Sequence, residues 1–468
     1  MGKLYDQLKA YGESDYYPYH MPGHKRQDLG TIPNDLKKID ITEIDGFDNL
    51  HQPEGILREL QQKAAALYGA EESFYMVNGS TGGILSAVSA ALPAGGHLLM
   101  ARNCHKSAYH AAYLRNLTTS FLYPEVIPEY DIYDAVTPKQ VKDALDQEKE
   151  IGAVLLVSPT YEGRTADIRA IAQVVHEKGL PLIVDEAHGA HLGFDSHFAP
   201  NSCKCGADIV IHSVHKTLPA MTQTALLHVN GDRIDRELLK RFLHIYQTSS
   251  PSYVLMASIE DALDCVERQG GRLFSQFAES YLKMLERLSA CRYLKFLPAE
   301  DGKQDLGKLV ISTKKIELSG QQLYDILLQE YHLQLEMAAD SYCLAMFTVG
   351  DGPMAYERMT RALLEIDGKC KPVKPSRKVC MKAQESKAAA IPLFQAWDKR
   401  TALVPLEQAI GKTAGEFVNL YPPGVPVLVP GEVLTAPVYE SILSYLEQDL
   451  NVQGVLRKKG SYHIKVLI

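Results

Sequence analysis

The sequence predicts an α/β fold built around a mainly parallel sheet, and three observations carry that reading. Between about residues 72 and 216, short apolar runs alternate with amphipathic segments. The runs SFYMVNGS, HLLMARN, AVLLVSPT, PLIVDEAH and ADIVIHSV are continuous and rich in Val, Ile and Leu, the pattern of parallel strands buried on both faces. Between two of them, ADIRAIAQVVHEKGLP puts Ile168, Ile171, Ala172 and Val175 on one helical face and stops at Gly179 and Pro181. Strand, helix, strand with short connections is the βαβ unit.

The elements follow in order. Residues 1–45 are polar with short apolar patches and read as an N-terminal arm. Residues 46–290 form the large domain, with GILSAVSAAL as an apolar helix after the first run and a helical pattern over 253–290. Residues 291–368 mix strand-like KLVIST and AMFTVG with helical QQLYDILLQEY, a small α+β domain. The basic, polar stretch KCKPVKPSRKVCMKAQESKAAA marks a linker over 369–392, and 393–468 form a last domain.

Composition narrows the function classes. The chain of 468 residues is 46% hydrophobic and 23% charged, an ordinary globular balance. Its formal charge of −8 argues against general nucleic-acid binding. No run approaches the roughly eighteen consecutive apolar residues of a membrane span. The N-terminus lacks the apolar core of a signal peptide. Eight scattered cysteines then read as reduced thiols in a cytoplasm. Cys203-Lys204-Cys205 is not a zinc spacing, so no metal is expected.

In such sheets ligands bind beyond the carboxyl ends of the strands. The run LIVDEAHGAH ends there and admits three readings. A helicase would need a phosphate loop, but the only GKT, at Gly411 to Thr413, follows the run and has Leu406 where the first glycine belongs. A metal site at His188 and His191 would need a helix that Gly189 interrupts, and further ligands. The third reading is a cofactor. Lys216 follows a buried strand in Ser213-Val214-His215-Lys216-Thr217, where a desolvated amine becomes a nucleophile. Asp185 can hold a pyridine nitrogen protonated. Asn78-Gly79-Ser80-Thr81-Gly82-Gly83, opening a helix, can cradle a phosphate. A lysine, an aspartate and a phosphate cradle are the set that pyridoxal phosphate chemistry requires.

The chain resembles the bacterial ornithine/lysine/arginine decarboxylases, in the short form without an N-terminal wing domain. The likeness runs over nearly the whole chain, through HMPGHKR, DITEIDGFDNLHQPEG, MVNGSTGG, RNCHKS, PTYEG, VDEAHGAH, SVHKTLPA, TSSPSY and YPPGVPVLVPGE. It implies a fold-type-I pyridoxal-phosphate-dependent large domain, a small α+β domain and the family's C-terminal domain. Lys216 would bond the cofactor's aldehyde, Asp185 pair with the ring nitrogen and His105 stack on the ring. Ser80, Thr81, Gly82, Ser213 and His215 would hold the phosphate, while Thr160 and His188 line the ring. His188 stands where the large inducible enzymes carry an aromatic residue. Ser249 or Ser250 would reach a phosphate in the neighbouring subunit of a homodimer. Lys216 or His215 would protonate the α carbon.

The implied reaction is α-decarboxylation of a basic amino acid (arginine, lysine or ornithine) to a polyamine or its precursor. A buried distal cation needs an acid, and Glu43, Asp45, Glu416 and Glu432 are the candidates. Short members of the family lean towards arginine. The alternative is an aminotransferase or lyase on the same fold, since fold alone does not separate these reactions. HMPGHK and YPPGVP favour the decarboxylase.

Overall fold

A computed structural model describes residues 2–16, 21–22, 24–27, 34–299, 302–373, 391–420, 424–447, 450–458 and 460–468. Most of the expected linker, positions 374–390, lies outside the described residues, as do His20, Gly23 and Tyr421 to Pro423 of the quoted motifs.

A seven-stranded sheet forms the centre. Its strands, numbered here in chain order, are β1 (Glu72–Met76), β2 (His97–Ala101), β3 (Thr118–Leu122), β4 (Ala153–Val157), β5 (Leu182–Asp185), β6 (Ile209–Ser213) and β7 (Ala225–Val229), in the spatial order β1-β7-β6-β5-β4-β2-β3. The five strands from β6 to β3 are parallel. Their runs read as continuous because helices cover both faces; Leu155, Val184 and Ile211 have no exposed surface.

The expectation that SFYMVNGS joins the sheet as another parallel strand is corrected. β1 pairs antiparallel with β7, Met76 opposite Ala225. The physical cause is a run that the sequence reading passed over, ALLHV. After β6 the chain turns back through Val214–Thr217 and lays β7 antiparallel beside it, Ser213 opposite Ala225. β1 closes the edge against this reversed strand.

The helix Ile168–His176 begins where Asp167 accepts the Ala170 N–H at 3.0 Å, and it buries the expected Ile168, Ile171, Ala172 and Val175. Gly179, at φ +72°, turns the chain out of it. A helix Tyr253–Leu288 crosses the molecule and packs on Pro353–Lys369. Against it also lies the arm helix Lys3–Gly12, with Leu4 and Leu8 fully buried. That helix starts at Gly2, which has no side chain to cap it; instead the distant Glu260 accepts the N–H groups of Lys3 at 2.7 Å and Leu4 at 2.9 Å.

Beyond the long helix, Lys308–Ser312 and Tyr342–Met346 pair antiparallel and carry the helix Gly320–Tyr331, which opens on a Ser319/Gln322 capping box. The C-terminal segment has two small sheets and a separate apolar cluster that includes Leu406, Val418, Leu428, Ile442 and Ile464. Arg102, just past β2, fastens it to the large sheet by donating to Pro426 O at 2.7 Å and to Glu432 at 3.1 Å.

Candidate active site

The loop after β5 gives each residue of DEAHGAH a different partner. Asp185 is buried beside Val157 of β4 and Ile211 of β6, and one of its oxygens accepts the Ala187 N–H at 3.1 Å. Burial pushes its carboxyl up, while Lys216 and the Ala187 N–H pull it back down, leaving it above its ordinary value. Glu186 points the other way, under the sheet, to His212 Nε2 at 2.8 Å. The loop is tight because Gly189 N–H bonds to Glu186 O at 2.8 Å; a Cβ there would lie 2.5 Å from Glu186 Cγ. His191 meets Asp305 at 2.8 Å. His188 and His191 therefore serve separate partners and do not chelate as a pair.

Lys216 sits in the short helix Val214–Thr217 at the end of β6, with its Nζ 3.1 Å from His188 Nε2. Burial lowers its pKa, with Asp185 and Glu336 opposing. Next to it, the His215 Nδ1–H donates to Thr224 O at 2.9 Å, so Nε2 is left to face other groups. Burial holds His215 below its ordinary value.

At the start of the helix Gly79–Ala91, Gly79 takes φ +66° and donates its N–H to Gln223 O at 2.9 Å, and Asn78 provides no side-chain cap for the N–H groups that follow. Ser213 Oγ donates to Ser80 Oγ at 2.9 Å, which joins the end of β6 to this turn. Thr81 is exposed and Gly82 buried. His105 caps the helix Lys106–Leu114: its Nδ1 accepts from Ser107 N–H at 3.2 Å. Burial, aided by Lys216 and Lys106, lowers it to about 4, so the ring is neutral. Thr160 is turned into its own loop, accepting the Arg164 N–H at 3.1 Å. Ser249 and Ser250 are exposed between helices and make no hydrogen bond to the Lys216 cluster.

The four acids expected to meet a substrate cation are not gathered here. Glu416 binds Trp397 Nε1 and Lys465, each at 3.1 Å. Glu432 is taken by Arg102 and by the Val429 N–H at 2.9 Å. Neither is a vacant carboxylate. Glu43 and Asp45 are exposed.

The sequence reading missed a second lysine. Lys308, the first residue of the KLVIST strand, is 1% exposed, and its Nζ lies 2.7 Å from His188 Nδ1. One imidazole thus bridges two lysines. Burial, together with the charge of Lys216, lowers Lys308 to about 8 against the pull of Asp305, Glu336 and Glu162. Tyr161 packs edge-on against His188, with ring centroids 4.9 Å apart, and its hydroxyl donates to exposed Glu336. Lys308 opens a buried apolar strand, whereas Lys216 follows one. Tyr161 also lines a cleft of about 600 Å³ with Arg102, Asp131, Glu162, Tyr342 and Glu432.

A buried carboxylate, a lysine at the end of the next strand and a helix start without a side-chain cap are groups that could hold a pyridine ring with an aldehyde and a phosphate.

Comparison with known proteins points to one family. The profile of the Orn/Lys/Arg decarboxylase major domain matches residues 2–301, and that of its C-terminal domain matches 376–467. An arginine decarboxylase of Bacillus subtilis (strain 168) is 30% identical over 96% of this chain and 95% of its own length. The inducible lysine decarboxylase of Escherichia coli (strain K12) is 25% identical over 61% of this chain and 43% of its own. Among solved structures, a Francisella novicida lysine decarboxylase superposes on 100% of this chain and 81% of its own, with a TM-score of 0.86 at 18% identity.

Proposed function

The chain belongs to the Orn/Lys/Arg decarboxylase family, and we infer that arginine is the member of that substrate class on which it acts. It is a pyridoxal-phosphate-dependent carboxy-lyase that removes the α-carboxylate of a basic amino acid. One observation carries the choice of arginine: an arginine decarboxylase is 30% identical over 95% of its own length, whereas the Escherichia coli lysine decarboxylases are 23–25% identical over 43–74% of theirs. The aminotransferase or lyase alternative gains nothing from the relatives.

When bound, pyridoxal phosphate supplies a sink for the electron pair that carbon dioxide leaves at the α carbon. The residues around Lys216 fit that group. Lys216 would be the amine that holds its aldehyde. Asp185, whose carboxyl accepts the Ala187 N–H at 3.1 Å, would hold a proton on the pyridine nitrogen. Ser80, Thr81, Ser213 and His215 would hold the phosphate at the start of the helix Gly79–Ala91, and neutral His105 would stack on the ring. Burial keeps water from the reacting carbon.

Glu336 is the acid that meets the guanidinium. It is exposed, it is hydrogen-bonded to Tyr161, and its charge acts on both Lys216 and Lys308. Ser249 and Ser250 serve the neighbouring subunit of a homodimer, and Glu43 and Asp45 face the same interface. The protein works in the cytoplasm; seven described cysteines are unbridged. The divisions 1–45, 46–290, 291–368, 369–392 and 393–468 are kept as its domain plan.

A mixture of equal arginine, lysine and ornithine tests the substrate. Chromatography of the amines formed should show the arginine product in excess; lysine or ornithine product in excess overturns the choice. Glu336→Gln should raise KM for arginine roughly tenfold while moving kcat less, the pattern of lost ground-state binding.

A further inference from the structure

The imidazole that joins buried Lys308 to half-buried Lys216 has no place in the roles given so far. Lys308 comes from the small antiparallel sheet, Lys216 from the end of β6, and His188 from the loop after β5. His188 Nδ1 is 2.7 Å from Lys308 and Nε2 is 3.1 Å from Lys216, so both ring nitrogens are used. A neutral imidazole has one N–H and one lone pair. It can accept from one lysine while donating to the other, but only if that other amine is uncharged.

Resting on the cofactor reading above, we propose that Lys216, His188 and Lys308 form a two-position proton switch, in which the two amines hold one proton between them. In the first position Lys308 is the ammonium and donates to Nδ1, while Nε2–H donates to an uncharged Lys216. In the second, Lys216 is the ammonium and donates to Nε2, while Nδ1–H donates to an uncharged Lys308. To pass from first to second, an N–H bond of Lys308 breaks as Nδ1–H forms, and Nε2–H breaks as an N–H bond of Lys216 forms. Each broken bond leaves its electron pair on nitrogen. Nothing is oxidised and no proton enters or leaves.

The geometry selects the first position at rest. The Lys308 contact is the shorter and falls in the range of charge-assisted hydrogen bonds. Burial lowers both amines and His188 as well, which disfavours two charges side by side. The surrounding charges favour a single shared proton. Asp185 and Glu336 act on Lys216, with His105 near it. Asp305, Glu162 and Glu336 act on Lys308, whose Nζ lies 5.5 Å from the Tyr161 ring centroid. His188 feels both lysines, His105 and His215. The use is direct. Lys216 must be uncharged to bond a carbonyl carbon and charged to give a proton, and the switch supplies either state without solvent.

The test reads cofactor capture, not turnover. Protein stripped of cofactor is mixed with pyridoxal phosphate over a range of pH, trapped with borohydride, and the label at Lys216 is counted by mass spectrometry. Lys308→Met leaves the proton on Lys216, so capture at pH 7 should fall roughly tenfold and the profile move about one unit alkaline. Lys308→Arg keeps a charge opposite Lys216, so its capture at pH 7 should stay within about twofold of wild type. A packing role would slow both variants at every pH without moving the profile. An unmoved Lys308→Met profile, or an Arg profile that moves with it, overturns the switch. Should Lys308→Met not fold by circular dichroism, His188→Phe severs the same bridge and should move the profile the same way; an unmoved profile overturns the proposal equally. Failure of the wild type to capture pyridoxal phosphate at Lys216 would remove the cofactor reading itself; capture that ignores positions 188 and 308 removes only the switch.

Discussion

Glu186 lies one position past the carboxylate proposed to meet the cofactor, yet it faces the opposite side of the sheet. Burial pushes its carboxyl up to about 8 and His212 down to about 3, so acid and imidazole are both neutral. A continuous chain then forms. Glu186 donates to His212 Nε2 at 2.8 Å, His212 Nδ1–H to His228 Nε2 at 3.1 Å, and His228 Nδ1–H to Ser73 Oγ at 2.6 Å. Glu186→Gln keeps a donor in place and should cost less than about 1 kcal/mol, whereas Glu186→Ala orphans His212 and should cost about 2–3 kcal/mol by urea unfolding. The proton also gives a pH signature. Unfolded Glu186 releases it near ~4.3, but the fold holds it until about 8. The stability it contributes is full below the lower value and lost as pH rises through the upper one. Glu186→Gln should flatten that slope; an unchanged slope means that Glu186 is ionised in the fold. At this scale the sequence could point to Asp185, Lys216 and His105 as candidates, because each ends or follows a legible apolar run. Lys308 escaped because its meaning depends on His188, 120 positions away, and no local pattern joins them.

Four of the five parallel strands, β2, β4, β5 and β6, could be read individually, but β3 was passed over and β1 could not be oriented. Its own residues look like any buried strand; the reversal belongs to β7, reached by the turn after Lys216. The arm helix is a similar case. Its apolar Leu4 and Leu8 are visible in the sequence, but its cap is Glu260, which only the fold supplies. Glu260→Ala should cost about 1 kcal/mol and speed proteolysis of the arm; unchanged cleavage would show that burial of the two leucines suffices. One tie between the β5 loop and the chain that enters the small sheet is His191 with Asp305, both nearly inaccessible. Burial alone would raise Asp305, but His191, the Gly307 N–H and Lys308 outweigh it and hold the carboxyl low. A depressed carboxylate adds stability above its unfolded pKa of ~3.9 and loses it as pH falls through the folded value. Asp305→Asn should therefore destabilise at pH 7 and converge on wild type as the buffer is acidified. A gap that persists in acid would place the cost in packing instead.

Across the whole molecule, the Lys216 cluster draws on three separate stretches of chain: the strand ends of the large sheet, Lys308 of the small sheet and the helix start at Gly79. The exposed Ser249 and Ser250 are proposed to serve a second copy. Dilution followed by sedimentation and cofactor absorbance should show dissociation and cofactor loss together; monomers that keep the cofactor would contradict a shared site. The central claim is that Lys216 anchors a decarboxylation of arginine. Its most direct test is carbon dioxide released from carboxyl-labelled arginine by wild type and Lys216→Ala, each supplied with pyridoxal phosphate. The account predicts release by wild type and none by the variant, which also lacks the bound cofactor's visible band. A variant that still releases label, or a wild type that binds cofactor and releases none, would contradict it.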